Sequence, residues 1–203
     1  MLVTIFDSNG SAVIDSIGAQ LISYKDSTGK ETIWQRDPKF WNRCSPLLFP
    51  IVGNCRNNKT TIEGKTYCIE KHGFCRDVDF QVTRQSDTAV TFEIHDTEET
   101  KAVYPYSFSL SLTYVMENGM LSMEYRVANT DDRTIYYCIG AHPGFNCPME
   151  EGASFNDYEL VFEEDETVSS MVYDLENLQF DPSHRIPRLD HSRRLPLTRE
   201  MFK

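Results

Sequence analysis

Residues 108–127 read FSLSLTYVMENGMLSMEYRV, and this stretch decides the fold class. Every second position is apolar from Phe108 to Met116 and again from Leu121 to Val127, and most of the intervening positions are polar. Alternation with a period of two places one set of side chains on one face of a strand. Asn118-Gly119, between the two segments, is a preferred two-residue turn of antiparallel hairpins. The stretch therefore predicts a long β-hairpin with one buried face.

Other short runs rich in β-branched and aromatic residues lie between turn signals along the chain. Glu63-Gly64 predicts a second hairpin turn, between segments 60–62 and 66–69, because glycine readily adopts positive φ. Helical periodicity is confined to 97–103, where Thr97 is a suitable N-cap. The predicted class is all-β, with further strands at 2–6, 19–24, 47–52, 65–70, 78–83, 89–95 and 134–139.

The composition fits a single domain with its own core. The chain has 203 residues, of which 40% are hydrophobic and 12% aromatic. It contains no repeat of fixed period and no Gly/Ser-rich or Pro-rich linker, so we expect one domain over 1–203. A chain with such a core and no export signal does not depend on disulfides, and we interpret its six cysteines as free thiols.

Charge and hydropathy narrow the range of partners. The formal net charge of -11 repels nucleic acid and anionic membranes, so neither is expected as a partner. The N-terminus has no basic region followed by an apolar stretch and a cleavage site, and no segment is apolar over the length that a bilayer requires. These features predict a soluble cytoplasmic protein, and they leave its oligomeric state open.

Residues 140–145 read GAHPGF and place a histidine among small residues. The ring of Pro143 disfavours helical backbone at His142, which is therefore expected at a strand end or in a turn. Gly140 and Gly144 leave room for a ligand. A histidine in this position can donate a proton to an oxygen near neutral pH. A buried turn histidine bonded to backbone carbonyls explains this segment equally well.

A second histidine opens the segment HGFCRD, which begins at His72. Arg76 in this segment can orient a substrate hydroxyl, or it can form a local ion pair with Asp77. Cys68 and Cys75 flank the same histidine with zinc-type donor atoms. Their spacing lacks a second cysteine pair, so no metal site is predicted here.

The apolar run 47–52 is followed by a polar cluster that includes Arg56 and Asn57. Amide and guanidinium groups suit polyhydroxylated ligands, whose hydroxyls need donors and acceptors in fixed directions. An aromatic ring beside such groups can pack against the C–H face of a sugar, and we expect one or two rings to do so. The aromatic candidates are Trp34, Trp41, Phe49, Phe74 and Phe145.

Taken together, PLLFPIVG at 46–53, HGFCRD at 72–77 and GAHPGF at 140–145 resemble, in this order and spacing, the aldose 1-epimerase (galactose mutarotase) superfamily. The likeness is greatest to its LacX-like bacterial branch and extends over nearly the whole chain. It implies a large antiparallel β-sandwich, the galactose mutarotase-like supersandwich, with a cleft for a small aldose sugar. It also implies a reaction without a cofactor, the interconversion of the α and β anomers.

The resemblance further implies roles for individual residues. In the family's mechanism a histidine protonates the ring oxygen of the sugar, and a carboxylate takes the proton of the anomeric hydroxyl. His142 matches the acid, His72 matches a second histidine that contacts the substrate, and Arg56 falls within a residue or two of the family's binding arginine. The expected site has His142 and His72 as catalytic residues, and Arg56, Asn57, Arg76, Phe74 and Phe145 as substrate-binding residues.

This sequence differs from the members of the family at its C-terminal end. Family members continue beyond position 203, and their general-base glutamate lies in that later portion. We therefore expect a sandwich domain that is incomplete at its C-terminus and lacks its final strands, with a rate lower by about 10² to 10⁴-fold without the base. The alternatives are a hexose-6-phosphate 1-epimerase that holds phosphate with Arg43, Arg56 and Arg76, and a non-catalytic sugar-binding protein or fragment.

Overall fold

The computed structural model describes residues 1–174, 176 and 179–202, and it consists almost entirely of antiparallel strands. The all-β prediction is confirmed. The strands are β1 (Leu2–Asp7), β2 (Gly10–Asp15), β3 (Gln20–Asp26), β4 (Leu47–Leu48), β5 (Lys59–Ile62), β6 (Lys65–Cys68), β7 (Gln81–Gln85), β8 (Ala89–His95), β9 (Phe108–Glu117), β10 (Met120–Asn129), β11 (Gly140–Ala141), β12 (Glu159–Asp174) and β13 (Gln179–Pro196), and the one α-helix of the described residues is α1 (Glu98–Val103).

The predicted hairpin forms β9 and β10, the edge pair of a four-stranded antiparallel sheet with the order β10-β9-β8-β7. Its register pairs Met120 with Glu117 across the Asn118-Gly119 turn. Every second residue of β9, from Phe108 to Met116, is buried, as the alternation predicts. This face and the matching face of β8 form most of the core of the sheet.

A three-stranded sheet, β1-β2-β3, packs its apolar face into the same core. Specific hydrogen bonds join the two sheets. The buried hydroxyl of Tyr114 on β9 donates to the carbonyl of Ala19 over 2.6 Å. The backbone N–H of Gly119 donates to a carboxylate oxygen of Asp7 over 2.8 Å, and the hydroxyl of Tyr24 donates to the Gly119 carbonyl. Two antiparallel sheets that share one core make a β-sandwich.

Sequence signals also predicted a tight turn and a helix cap correctly. Glu63 and Gly64, both with positive φ, form the turn between β5 and β6. Thr97 caps α1 as predicted, since its side chain accepts from the N–H of Thr100 while the Thr100 hydroxyl accepts from the N–H of Thr97. The six cysteines are free thiols.

Two predictions about strands were wrong, and some strands were not predicted. The segment 134–139 is not a strand, because its backbone bonds to scattered partners: the Cys138 N–H donates to the Pro50 carbonyl, and the Tyr136 carbonyl accepts from the Tyr104 hydroxyl. The run 47–52 is a strand only at β4. The strands β2, β11, β12 and β13 were not predicted. In β12 the acidic run 163–166 favours a solvated loop.

Close contacts group the residues into two units, 1–145 and 146–203. The second unit contains the long hairpin β12–β13, with short 3-10 turns at Phe155–Asp157 and Arg199–Phe202. The register of this hairpin shifts at four places along its length. No helix within the described ranges is long and apolar enough to cross a membrane.

Candidate functional site

The two histidine segments meet on opposite sides of one short strand. On one side, β11 pairs antiparallel with β4, so that Gly140 lies opposite Leu48. On the other side, Phe49, which follows β4, forms a parallel bridge with Gly73. The ring centroids of His72 and His142 are consequently 6.0 Å apart, with their planes at 64°. The short segment of β4 and Phe49 therefore brings together the two residues predicted to be catalytic.

The close approach of the His72 segment to this strand requires glycine. The Phe49 N–H donates to the His72 carbonyl over 3.3 Å, and the Phe74 N–H donates back to the Phe49 carbonyl over 3.1 Å. Gly73 lies between these bonds with φ +71°, and a Cβ at this position would lie 2.1 Å from the Phe49 carbonyl oxygen. Any side chain here would push the two segments apart.

His72 is held by its neighbour Gly53 through both backbone and ring. Its N–H donates to the Gly53 carbonyl over 2.9 Å, and its ring Nδ1 accepts from the Gly53 N–H over 3.0 Å. The side chain is partly buried. Burial lowers the pKa of His72, and the nearby charges of Lys71, Arg76 and His142 lower this pKa further. The ring is therefore biased towards its neutral form.

His142 has a different environment. The residue is exposed, and in the described part of the chain its ring has aromatic neighbours but no hydrogen-bond partner. The indole of Trp41 lies 5.3 Å from its ring centroid. A Cβ on Gly144 would lie 2.8 Å from Cζ3 of this indole, so glycine at 144 allows Trp41 to lie beside His142.

Trp41 and Trp34 are positioned by backbone bonds around the GAHPGF segment. The Gly144 N–H donates to the Cys44 carbonyl over 2.5 Å, and the Gly144 carbonyl accepts from the Trp34 N–H over 2.9 Å. The Trp34 indole N–H donates to the Trp41 carbonyl over 2.9 Å. Of the five aromatic candidates, Trp41 is the one in ring contact with a predicted catalytic histidine.

The two aromatic residues expected to bind substrate, Phe74 and Phe145, have different surroundings. The ring of Phe74 packs against the core rings of Phe49 and Phe108, at centroid distances of 6.3 and 6.2 Å. Phe145 is exposed and forms a backbone bridge with Ile33. Phe74 thus packs with rings of the core, whereas Phe145 pairs with the residue before Trp34.

Arg76 forms the local ion pair that the sequence allowed. Its Nε lies 3.4 Å from a carboxylate oxygen of Asp77, and the other oxygen of Asp77 lies 2.7 Å from Nη2 of Arg43. Arg43 also donates to the Arg76 carbonyl over 3.4 Å. These contacts place the Arg76 charge in a local ion pair, close enough to act on His72. Its Nε is nevertheless buried and has no hydrogen-bond partner among the described residues.

The polar cluster after β4 contains one feature that sequence reasoning missed. Arg56 and Asn57 lie in an exposed 3-10 turn, Arg56–Asn58, where Asn57 has φ +56°. Asn54, directly after Gly53, has a side-chain Oδ1 that is buried and has no hydrogen-bond partner among the residues that the structure describes. Buried acceptors are normally paired, so this oxygen is a candidate ligand contact. Its position next to a glycine in a polar cluster was the available signal.

The cysteines near this region differ in exposure. Cys75 is buried, and burial raises the pKa of its thiol well above the usual range, while Cys68 is exposed on β6. Across the described residues, no group of three His, Cys, Asp or Glu side chains is arranged to hold a metal ion.

A sequence model of the family described as aldose 1-epimerase matches residues 1–191. The chain belongs to the aldose 1-epimerase family. The proteins named LacX, plasmid and chromosomal, from Lactococcus lactis subsp. lactis are each 36% identical to it over 193 residues. This match covers 92% of the chain but 64% of each LacX protein, so the chain spans less than two thirds of the length of these relatives.

Solved structures support the same assignment. A galactose mutarotase related enzyme from Lactobacillus acidophilus superimposes with a TM-score of 0.90 at 35% identity, covering 100% of this chain and 67% of that one. A galactose mutarotase-like protein from Lactobacillus casei superimposes with a TM-score of 0.88 at 35% identity, covering 98% and 68%. The resemblance to the LacX-like branch and the predicted galactose mutarotase-like β-sandwich are thereby confirmed.

Proposed function

We propose that this chain binds a free aldose against His72 and His142, on the side that both imidazoles face, and interconverts its α and β anomers. The observation that carries the proposal is the 6.0 Å separation of the two imidazoles on either side of β4. Two imidazoles whose ring centroids are this close can each present a nitrogen to an oxygen of the same pyranose. Membership of the aldose 1-epimerase family supports an epimerase-like function and a small sugar as ligand.

His142 is the proton donor in this proposal. It gives its proton to the ring oxygen of the sugar as the bond between this oxygen and C1 breaks. The anomeric hydroxyl loses its proton to a base, and its oxygen becomes the carbonyl of the open-chain aldehyde. Rotation about the C1–C2 bond presents the other carbonyl face, and ring closure returns both protons. The family resemblance gives the base role to a glutamate, for which the proposal names no residue of this chain.

Trp41 supplies the apolar side of the site. Its indole lies beside His142, and a pyranose has an apolar C–H face as well as polar hydroxyls. Packing of this face against the indole would orient the ring oxygen towards the imidazole. The unpaired Oδ1 of Asn54 is available to accept a hydrogen bond from a sugar hydroxyl.

Polarimetry of freshly dissolved α-glucose and α-galactose tests the proposal. We expect the protein to accelerate the change in rotation, and we expect His142→Ala to reduce this acceleration by about 10² to 10⁴-fold. His95→Ala is a matched control, because His95 is also exposed but lies on β8 beside Glu93. A rate equal to that of the buffer, or equal effects of the two substitutions, would contradict the proposal.

A non-catalytic sugar-binding protein is the second candidate. It is favoured by one observation: within the described residues, neither His72 nor His142 is hydrogen-bonded to a carboxylate, which a proton relay would normally use. Calorimetry distinguishes the two candidates, since binding heat with hexose but without accelerated anomerisation identifies this second function. Adding hexose 6-phosphate as a competitor tests the phosphorylated substrate, for which Arg43 and Arg76 are already engaged with Asp77.

A further inference from the structure

We infer that His72 acts as a neutral hydrogen-bond donor through Nε2, with the backbone amide of Gly53 as the positioning group that selects this tautomer. In this inference His72 orients a sugar oxygen and is not the source of the transferred proton. The assignment of the oxygen rests on the function proposed above. The assignment of the tautomer rests on backbone geometry alone.

The bond between Gly53 and the imidazole has one possible direction. A backbone N–H can only donate, and the Gly53 nitrogen lies 3.0 Å from Nδ1 of His72. Nδ1 must therefore carry a lone pair, and the proton of the neutral ring must be on Nε2. A flipped ring would direct a carbon at Gly53 and leave its N–H without this acceptor.

The backbone reinforces this arrangement. The His72 N–H donates to the Gly53 carbonyl over 2.9 Å, so two hydrogen bonds join the same pair of residues. His72 has φ +68°, a left-handed conformation that is uncommon for a residue with a side chain. Such conformations persist where surrounding contacts maintain them, and they concentrate at functional sites. Here the contacts to Gly53 and Phe49 maintain the conformation that brings Nδ1 to the amide.

The charged surroundings of the ring oppose a second proton. The charged groups that act on His72 are Lys71, Arg76 and His142, and all three are basic. Partial burial acts in the same direction, and together these causes lower the pKa of His72. Protonation of Nδ1 would also place an N–H against the Gly53 N–H and break their bond. These causes favour the neutral ring, whereas an acid would need to be charged.

His142 has none of these constraints. It is exposed and, in the described ranges, has no hydrogen-bond partner that would select a tautomer. Either of its nitrogens can hold the proton that the reaction requires. The two histidines are thus separated by role: His142 transfers a proton, and His72 donates a fixed hydrogen bond.

Nitrogen-15 NMR of the histidine side chains tests the tautomer in the intact protein without any sugar. We expect the His72 spectrum, assigned by its loss in His72→Gln, to show unprotonated Nδ1 and protonated Nε2 at about pH 6.5, the midpoint of an ordinary histidine. A proton on Nδ1, a mixture of tautomers or a half-charged ring at that pH would overturn the inference. This result does not depend on whether the protein is an epimerase.

Kinetics test the role in the site. The amide N–H of glutamine can replace the Nε2–H donor, so His72→Gln should lower kcat/KM less than His72→Ala, by about threefold against about thirtyfold. The rate should fall at alkaline pH, where the acid loses its proton. This fall should persist in His72→Gln and should be absent from the residual rate of His142→Gln. Equal losses in the two His72 variants, or loss of the alkaline fall in His72→Gln, would overturn the role. Absence of any acceleration by the unsubstituted protein would instead refute the proposed function, leaving the tautomer to the NMR result.

Discussion

The β9–β10 hairpin in residues 1–145 and the β12–β13 hairpin in residues 146–203 are both long and antiparallel, but they differ in what they bury. On β9 every second side chain is buried, and the register to β10 is continuous over ten pairs. Most of β12 and β13 is exposed, including Leu160 and Phe180, and their register shifts. Hydrogen bonding between strands is therefore common to both hairpins, whereas a core belongs to the first.

This difference matters for the site. Ladder hydrogen bonds exchange for bonds to water and contribute little net free energy, while burial of apolar surface contributes about 25 cal/mol per Å². A site that needs two imidazoles at a fixed spacing requires a backbone held by packing. Phe49, between the two histidine segments, is fully buried and contacts four aromatic rings.

The largest expected effect on stability is the difference between truncating a leucine in the first hairpin and truncating one in the second. Leu112 on β9 is 1% exposed, and Leu160 on β12 is 49% exposed. Leu112→Ala should lower the free energy of unfolding by about 2 to 5 kcal/mol, because it leaves a cavity. Leu160→Ala should lower it by less than about 1 kcal/mol. Urea denaturation measures both, and equal losses would show that the hairpins do not differ in packing as described.

Glycine to alanine substitution should lower the free energy of unfolding more at Gly144 than at Gly152. A Cβ on Gly144 meets Trp41, Trp34 and Cys44 at 2.8 to 3.2 Å, so Gly144→Ala should cost about 1 to 3 kcal/mol and change tryptophan fluorescence. Gly152 has open space around it and φ +82°, so Gly152→Ala should cost about 1 kcal/mol through backbone strain alone. An unchanged emission spectrum in Gly144→Ala would mean that Trp41 is not held by this contact.

Removing a hydroxyl should show the effect of burial on a hydrogen bond. Tyr114→Phe leaves the Ala19 carbonyl without its donor in the core and should cost about 1 to 2 kcal/mol. Ser183→Ala, in the second hairpin, removes an exposed bond to Asp181 and should cost less than about 0.5 kcal/mol. Thermal unfolding of both variants measures this, and a larger loss in Ser183→Ala would reverse the comparison.

The smallest expected effect is a pH dependence from His72. Its folded-state pKa is lowered, so the unfolded chain binds the proton more readily below the ordinary value of 6.5. The contribution of His72 to stability should thus be complete above pH 6.5 and decrease as the pH falls below it. Subtracting the unfolding free energies of His72→Gln from those of the unsubstituted protein isolates this contribution. A difference that increases on acidification would contradict the lowered pKa.

Elements with strong local signals could be predicted from the sequence. Alternation and Asn118-Gly119 predicted β9–β10, and Thr97 predicted the start of α1. The segment 134–139 has the same β-forming composition, but its backbone bonds go to Pro50 and Tyr104 instead of a neighbouring strand. Composition reports what a segment prefers, and the partner that its backbone finds depends on residues distant in the chain.

The amino-acid pattern was sufficient to identify an all-β chain and to select His72 and His142, because alternation, turn residues and glycine-flanked histidines are local properties. The roles proposed for the two histidines depend on contacts between segments that are far apart in the chain. Pairing with β4 and Phe49 sets the spacing of their rings, the Gly53 N–H contacts Nδ1 of His72, and Trp41 lies beside His142. These contacts form only when the core packs, so they follow from the folded arrangement and from no single segment.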